Sequence, residues 1–440
     1  MLKEFRKSEH GGITALAIFL VLMIFVLIGI SVDVSNAYKV RTQLQIAADA
    51  AAHAALYNRE TEGEAGARQK AVQLAAEILE VEPENAVLRA EDIRYGNWNP
   101  YTRTFTESIF DVSAVQVLAS RDHLRENPVQ TFLLGFIGLD AWDIGAIAVV
   151  ETAHPLCLRE GFVGDGIVDI QSNNAFYNGF CLHSNTHVSV NQNNIFEEGT
   201  VVSMPLYGDE TLLEKLDAPA SVCESNDGLC EALTESFYNI RILNRVDDIV
   251  AAMQSGDIEK LPDYVTETGK TPTWISGSTL SMSGNGLTPG SVYRLACDKG
   301  KKVTLQNDSV FTGVVLIADC ELAFAQGVEL NDVVIVNMDT SAKSINAPSG
   351  LQLGKDDGCA EHGGAQIVTM GGVDVASDLR MYGGQIIAKG NVYFAANADG
   401  LAGASIISGG EISGTSNMTM GFCGTGMEDN FEVDYFRTVM

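Results

Sequence analysis

Hydrophobic and polar positions divide this chain into two textures. Gly12 to Val34 is an apolar run with no charge until Asp33. A helix needs about 20 such residues to cross a bilayer core of about 30 Å. Beyond it, Tyr38–Leu56 (YKVRTQLQIAADAAAHAAL) is rich in alanine, the strongest helix former, and continues the helix without a break. A second helical pattern runs over Glu64–Glu80, where Ala67, Ala71, Leu74, Ala75, Ile78 and Leu79 recur at helical spacing and Pro83 marks the end. Short β-type runs follow at Ala86–Ile93, Arg103–Ile109 and Asp111–Leu118. This predicts an anchor segment (residues 1–57) and then an α+β membrane-proximal domain (residues 58–152).

Beyond Ala153 helical periodicity fades. Runs of three to six β-formers, such as Gly313–Ala318, Val333–Asn337, Gln366–Thr369, Gln385–Ala388 and Ala404–Ser408, alternate with Asn, Gly, Ser and Asp. Ile167–Ile170, Val188–Val190 and Val201–Met204 have the same character. The strong runs recur about every 20 residues, the length of one coil of a parallel β-helix. Asn173-Asn174, Asn191–Asn194 and Gly383-Gly384 suit its corners. A β-sandwich uses similar strands. The solenoid is preferred because the runs lack the strict in–out alternation of a half-exposed sheet. The predicted all-β body covers residues 153–427, with a charged helical insertion at about 209–268. In that insertion Leu233, Phe237, Ile240, Leu243, Val246, Val250 and Met253 share one face, suited to capping an end or side of the solenoid. Residues 428–440 read as an acidic C-terminal tail.

Charge narrows the partners. Fifty-seven acidic against 28 basic residues give a net charge of −29, which argues against nucleic acid as a partner, because phosphate binding needs clustered Lys and Arg. The eight cysteines (157, 181, 223, 230, 297, 320, 359 and 423) all follow the apolar run. An even number on that side suits an oxidising compartment, and neighbours such as Cys223 and Cys230 are candidates to bridge. There is no C-x-x-C pair, which argues against a zinc ribbon or a thioredoxin-like site. Lys3, Arg6 and Lys7 precede the run while Lys39 and Arg41 follow it, a slight positive-inside bias. With the cysteines, it predicts a single-pass inner-membrane protein with a cytoplasmic N-terminus and a periplasmic or surface-exposed body. A cleaved signal peptide, with Ser35-Asn36-Ala37 as its cleavage signal, is the competing reading, but its apolar core would be shorter.

The stretch from Glu9-His10-Gly11-Gly12 through Val32-Asp33, Tyr38, Arg41, Leu44-Gln45 and Ala48-Asp49-Ala50-Ala51 resembles the TadG-like proteins of Flp pilus (tight-adherence) assembly systems. The likeness continues in Ile93–Trp98, Phe105, Ala114–Val117, Pro128-Val129, Phe132, Gly138 and Ala146–Ala148, covering about the first third of the chain. It implies a bacterial envelope protein that acts with pilus or secretion machinery. Two features depart from the family. Asp33-Val34-Ser35-Asn36-Ala37 is not the Asp-x-Ser-x-Ser start of a von Willebrand type A metal site. The prepilin-peptidase pattern is also missing, since Glu9 precedes Gly11 and Gly12.

Candidate chemistry is sparse. His183 and His187 stand four apart but in a strand-and-turn context, so the rings would not share a helical face. Cys359-Ala360-Glu361-His362 pairs a thiol with an imidazole inside a glycine-flanked turn. Asp165 and Asp169 are spaced to allow carboxylate chemistry on a solenoid face. Asp49 and His53 are helical neighbours. None of these patterns assigns a catalytic, cofactor-binding or metal-binding residue, and no cofactor is expected. The expectation is a non-enzymatic, membrane-anchored component of a Flp/Tad-type pilus assembly or adhesion system. Its partners would be the lipid bilayer, pilus or secretion proteins and further copies of itself. The alternative is a membrane-anchored β-helix that binds or cleaves polysaccharide.

Overall fold

The computed structural model describes residues 11–80, 87–110, 112–153, 155–177, 179–218, 221–255, 261–277, 280–298, 300–414 and 416–440. Lys3, Arg6, Lys7, Glu9, His10 and the Pro83 helix stop lie outside them. The chain forms two compact units, Met1–Ala153 with Asp434–Met440, and His154–Val433.

In the first unit, the helix Gly11–Leu79 breaks at Gly63 (φ 67°, ψ 175°). Residues 13–34 are almost entirely exposed, so among the described residues little protein surface covers their apolar side chains. Further along, Leu44, Ala47, Ala48, Ala51, Ala52, Ala55 and Leu56 are fully buried at i, i+3, i+4 spacing. This alanine face lies on a five-stranded antiparallel sheet, where it meets Ile93, Tyr95, Val115, Val117, Ala148 and Val150. Small side chains bring helix and sheet close together. Spatial strand order is Thr104–Glu107, Ile93–Asn99, Ala114–Arg121, Ile144–Ala153, Tyr435–Thr438. Two expectations are corrected here. The first strand begins at Ile93 instead of ending there, because Ala90–Asp92 is a 3₁₀ turn whose Asp92 carboxylate accepts from the Arg89 N–H. Residues 435–438 are not tail but an edge strand, paired antiparallel with residues 150–153. The tail's acidic side chains precede that strand, at Glu428, Asp429, Glu432 and Asp434.

The second unit is a parallel β-helix with three β-faces per coil. Cys181 stands beside Gly161, Val201 beside Cys181, Val333 beside Val314 and Ala404 beside Gly384, so these coils advance 19 or 20 residues. At the corners, Asn173, Asn193 and Asn417 adopt left-handed backbone conformations. Beside them a buried asparagine ladder spans the coils: Asn226 Oδ1 accepts from the Asn194 N–H, Asn194 Oδ1 from the Asn174 N–H, and Asn174 Oδ1 from the Met418 N–H. Gly383 (φ +64°) lies where a Cβ would come within 2.8 Å of the Gly426 carbonyl, so glycine is required there.

Coil order in space differs from order in sequence. The chain enters at Gly161–Gly164 and winds through Cys181–Ser184 and Val201–Met204 to Leu233–Glu235. It then resumes at Thr273–Gly277 and winds through Ser291–Cys297, Val310–Ala318, Glu329–Asn337, Ala365–Thr369 and Val373–Ala388 to Val392–Ser408. That last strand pairs with Gly161–Gly164, and the other two faces close in the same way, Ile412 beside Val168 and Met420 beside Phe176. The first coil is thus clasped between the second and the last.

Among the described residues of the insertion at 209–268, only Arg241–Ser255 is a long helix. Leu233 is a strand residue paired with Val202, and Phe237 is exposed. The buried helical face is Ile242, Val246, Ile249, Val250 and Met253. Residues 212–218 and 221–232 instead complete a coil: Asp217 bridges to Ser189, Asp227 to Ile195, and Cys223 pairs with Cys230. The helix packs on the outside of the first β-face, in one apolar cluster with Val163, Val315, Ile317, Val334, Val336, Val368, Ile387 and Ile407. Their neighbours Phe162, Leu316, Ile335, Ile367, Ile386 and Ile406 fill the interior. Burial on both sides explains why these strands read as continuous apolar runs. All eight cysteines are paired: 157–181, 223–230, 297–320 and 359–423.

Candidate functional site

His183 lies on the first β-face with no exposed surface. Its Nδ1 is 2.7 Å from Ser203 Oγ, its Nε2 is 2.8 Å from Asn185 Oδ1, and its ring meets Tyr238 edge-on. Both ring nitrogens are therefore committed, and no lone pair points at a metal. Burial pushes its pKa below the usual histidine range, against a smaller opposing pull from Asn185. Serine, histidine and asparagine here lock adjacent coils together, and Ser203 is as inaccessible as His183. His187 lies beyond the bend, where its carbonyl accepts from the Val168 N–H.

The other candidates separate. Asp165 accepts from Asn185 Nδ2, while Asp169, on the next face, accepts from Gln171 Nε2 and Ser413 Oγ. Each is held by its own coil neighbours. Cys359 is bonded to Cys423 and offers no thiolate. His362, mostly exposed, faces Asp429 at 3.7 Å. In the N-terminal unit Asp49 accepts from Gln45 Nε2 and His53 Nε2 lies 3.0 Å from Thr438 Oγ1, so the edge strand engages one nitrogen of the imidazole.

Two arrangements emerge that sequence reasoning did not single out. The first is a groove of about 750 Å³ on the solenoid, lined by Asp298, Lys301, Lys302, Asp319, Glu321 and Asp339 around the Cys297–Cys320 bridge. Asp319 accepts from the Cys297 N–H at 3.0 Å and Glu321 faces Lys302 at 3.7 Å. The sulfurs near Asp319 are oxidised, so they are not thiolate ligands. Its chemistry is that of an open polar recess carrying both charges. Only pairing of coils brings residues 298, 319 and 339 together.

The second lies at the end of the apolar run. The Asp33 carboxylate, 2% exposed, accepts three backbone N–H groups: Phe132 at 2.6 Å on Oδ1, and Leu133 at 3.0 Å and Leu134 at 2.7 Å on Oδ2. These amides open the 3₁₀ turn Leu134–Ile137, whose first donors have no partner within the turn. In sequence Asp33 only ends an apolar run, because its partners lie about a hundred residues away.

Comparison with known families bears on both units. Residues 161–424, more than half of the chain, match the family described as a domain of unknown function (DUF7867). The chain belongs to that family. Residues 11–72 match the Flp pilus-assembly TadE/G-like family, in agreement with the resemblance read from the N-terminal residues. Curated proteins return no match. Among solved structures, the chain is similar to an ice-binding protein (LeIBP) from Arctic yeast, at 10% identity over 62% of this chain and 94% of that one. The TM-score is 0.21, too slight to bear on function.

The matched span begins at the first strand of the clasped coil and ends just past Cys423, so it is the solenoid, the helix Arg241–Ser255 included. Glu160 ties its two ends. Fully buried, it accepts the Cys423 N–H at 2.7 Å and the Gly424 N–H. Burial pushes its carboxyl above the usual range, and the two N–H groups and Arg159 offset this only in part. A raised pKa in the fold contributes stability below the ordinary glutamate value and loses it as pH rises through the folded value. The melting temperature of wild type minus that of Glu160→Gln is therefore expected to be most positive below about pH 4.5 and to fall as pH increases. A flat or rising difference in melts of the full chain across that range would refute this assignment.

Proposed function

We propose that this protein is a membrane-anchored, non-enzymatic component of a Flp/Tad-type pilus assembly or adhesion system, with its β-solenoid as an extracytoplasmic interaction surface. One observation carries the reading. The TadE/G-like match covers the exposed apolar helix together with the alanine face that docks the same helix on the first unit's sheet. A span continuous with its domain transmits position and force without a flexible joint. That helix is long and apolar enough to cross a membrane. Four disulfides suit an oxidising compartment. His183, Cys359, Asp165 and Asp169 are each held by structural partners.

The test is crosslinking and labelling in intact source cells. The chain is expected in the membrane fraction, its body open to reagents that do not enter the cytoplasm, and recovered with pilus-assembly proteins. Deleting its gene is expected to abolish surface attachment. A body confined to the cytoplasm, or attachment unchanged by deletion, would overturn the proposal. The groove beside Cys297–Cys320 favours the second reading, a carbohydrate site. That reading requires Asp319→Asn and Glu321→Gln to abolish polysaccharide binding, whereas the first requires attachment to survive both changes.

A further inference from the structure

The hairpin that Asp33 holds has an inverted polarity. Val129–Gln130 and Ala141–Trp142 pair antiparallel at its stem, and Thr131 closes the loop through its N–H to the Asp140 carbonyl and its hydroxyl to the Leu139 carbonyl. This built loop turns its apolar side chains outward. Phe132, Phe136, Ile137 and Leu139 are 65, 88, 57 and 50% exposed, and no charge interrupts residues 132–139. A cluster of four large apolar groups on an ordered turn is costly in water.

Its position identifies what covers it. A Cβ at Gly29, four residues before Asp33, would come within 3.1 Å of the Leu133 Cβ, so the loop is pressed against the helix at a glycine. Four residues of helix are about 6 Å. An apolar span starting near Ile13 reaches across the hydrocarbon in about 20 residues, which places its end beside Asp33. The Gly29–Leu133 contact therefore lies at the boundary between acyl chains and headgroups. Beside that contact the helix exposes the apolar side chains of Ile24, Phe25, Val26, Leu27, Ile28 and Ile30. The Asp33 carboxylate at that level is satisfied by backbone amides instead of water, as a polar group near lipid must be.

We infer that the hairpin Val129–Trp142 is a second membrane contact, inserting Phe132, Phe136, Ile137 and Leu139 into the interface of the bilayer that the helix crosses. The inference rests on reading that helix as a span. Its occupant is lipid, because the patch is contiguous with a lipid-facing helix and sits at the same depth. Two contacts in one plane would fix the tilt and rotation of the first unit, which a lone helix leaves free.

The test places the full-length chain in phosphatidylethanolamine–phosphatidylglycerol vesicles whose acyl chains carry bromine near the headgroup. Phe136→Trp, at an exposed position that tolerates the larger ring, is compared with Phe19→Trp in the helix and Tyr101→Trp on an exposed turn of the same unit. Each is read as the change from the parent chain with its own tryptophans. Emission from Phe136→Trp is expected to be quenched and shifted to shorter wavelength, while Tyr101→Trp is unaffected. Quenching of Phe19→Trp without Phe136→Trp would overturn this inference and leave the span intact. Quenching of neither would overturn the span itself. Protection of Phe136→Trp from both bromolipid and aqueous quenchers would show a second copy or another protein on the patch, and would also overturn it.

Discussion

Phe162→Ala is expected to cost the solenoid about 3–5 kcal/mol, the usual range for emptying a buried phenylalanine site. Phe162 has no exposed surface and meets Phe180 and Phe394 edge-on, with ring centroids 5.1 and 5.4 Å away. Its strand is the hinge of the coil order: Phe162 stands beside Leu182 on one side and Ile406 on the other. Truncation therefore opens a cavity where the last coil meets the first, and close packing on all sides limits how far the site can collapse. Phe311 and Phe324 are as deeply buried, but in coils whose neighbours follow each other in sequence. Alanine there should cost a similar amount without loosening residues 405–408. Denaturation of full-length protein with residue-resolved hydrogen exchange reads both effects. Exchange at 405–408 no faster in Phe162→Ala than in Phe324→Ala would show that the clasp does not depend on this ring.

Asp33→Ala should release the 129–142 hairpin from the helix. Three amides lose their acceptor at once, and a methyl group replaces none of them. Leaving the buried Leu134 donor and the two part-buried ones unpaired is costlier than losing ordinary exposed hydrogen bonds. Exchange at Phe132, Leu133 and Leu134 is expected to accelerate roughly tenfold or more, with new protease cleavage near the loop. Asp33→Asn keeps one carbonyl acceptor and should recover part of the protection. Unchanged exchange in the alanine variant would mean that the stem pairing alone holds the loop. The solenoid, whose core shares no residue with this clamp, should melt as in the wild type.

The parts legible in sequence share one property: their cause is local. The apolar run, the alanine face from Leu44 to Leu56, the break before Glu64, the coil period and the left-handed asparagines follow from periodicity or from the conformational preferences of single residues. Features that require distant partners were not legible. Asp33 shows no sign of the amides at 132–134, and Tyr435–Thr438, behind an acidic stretch, reads as tail because its partner strand ends at Ala153. The helical face expected to include Leu233 and Phe237 shows the same limit, since strand and helix patterns merge when a short strand precedes a helix.

By itself, then, the sequence determined an anchor helix, a small α+β unit and a parallel solenoid of about 20 residues per coil. Tertiary structure decided the coil order, the disulfide partners other than Cys223–Cys230, the groove and the side on which the helix Arg241–Ser255 lies. The reason is degeneracy: each coil offers its neighbours a similar ladder of amides, carbonyls and inward aliphatic side chains. Local pattern therefore specifies how coils stack, but not which coil lies next to which. Particular long-range contacts make that choice, with Phe162, Glu160 and the asparagine ladder at the clasp.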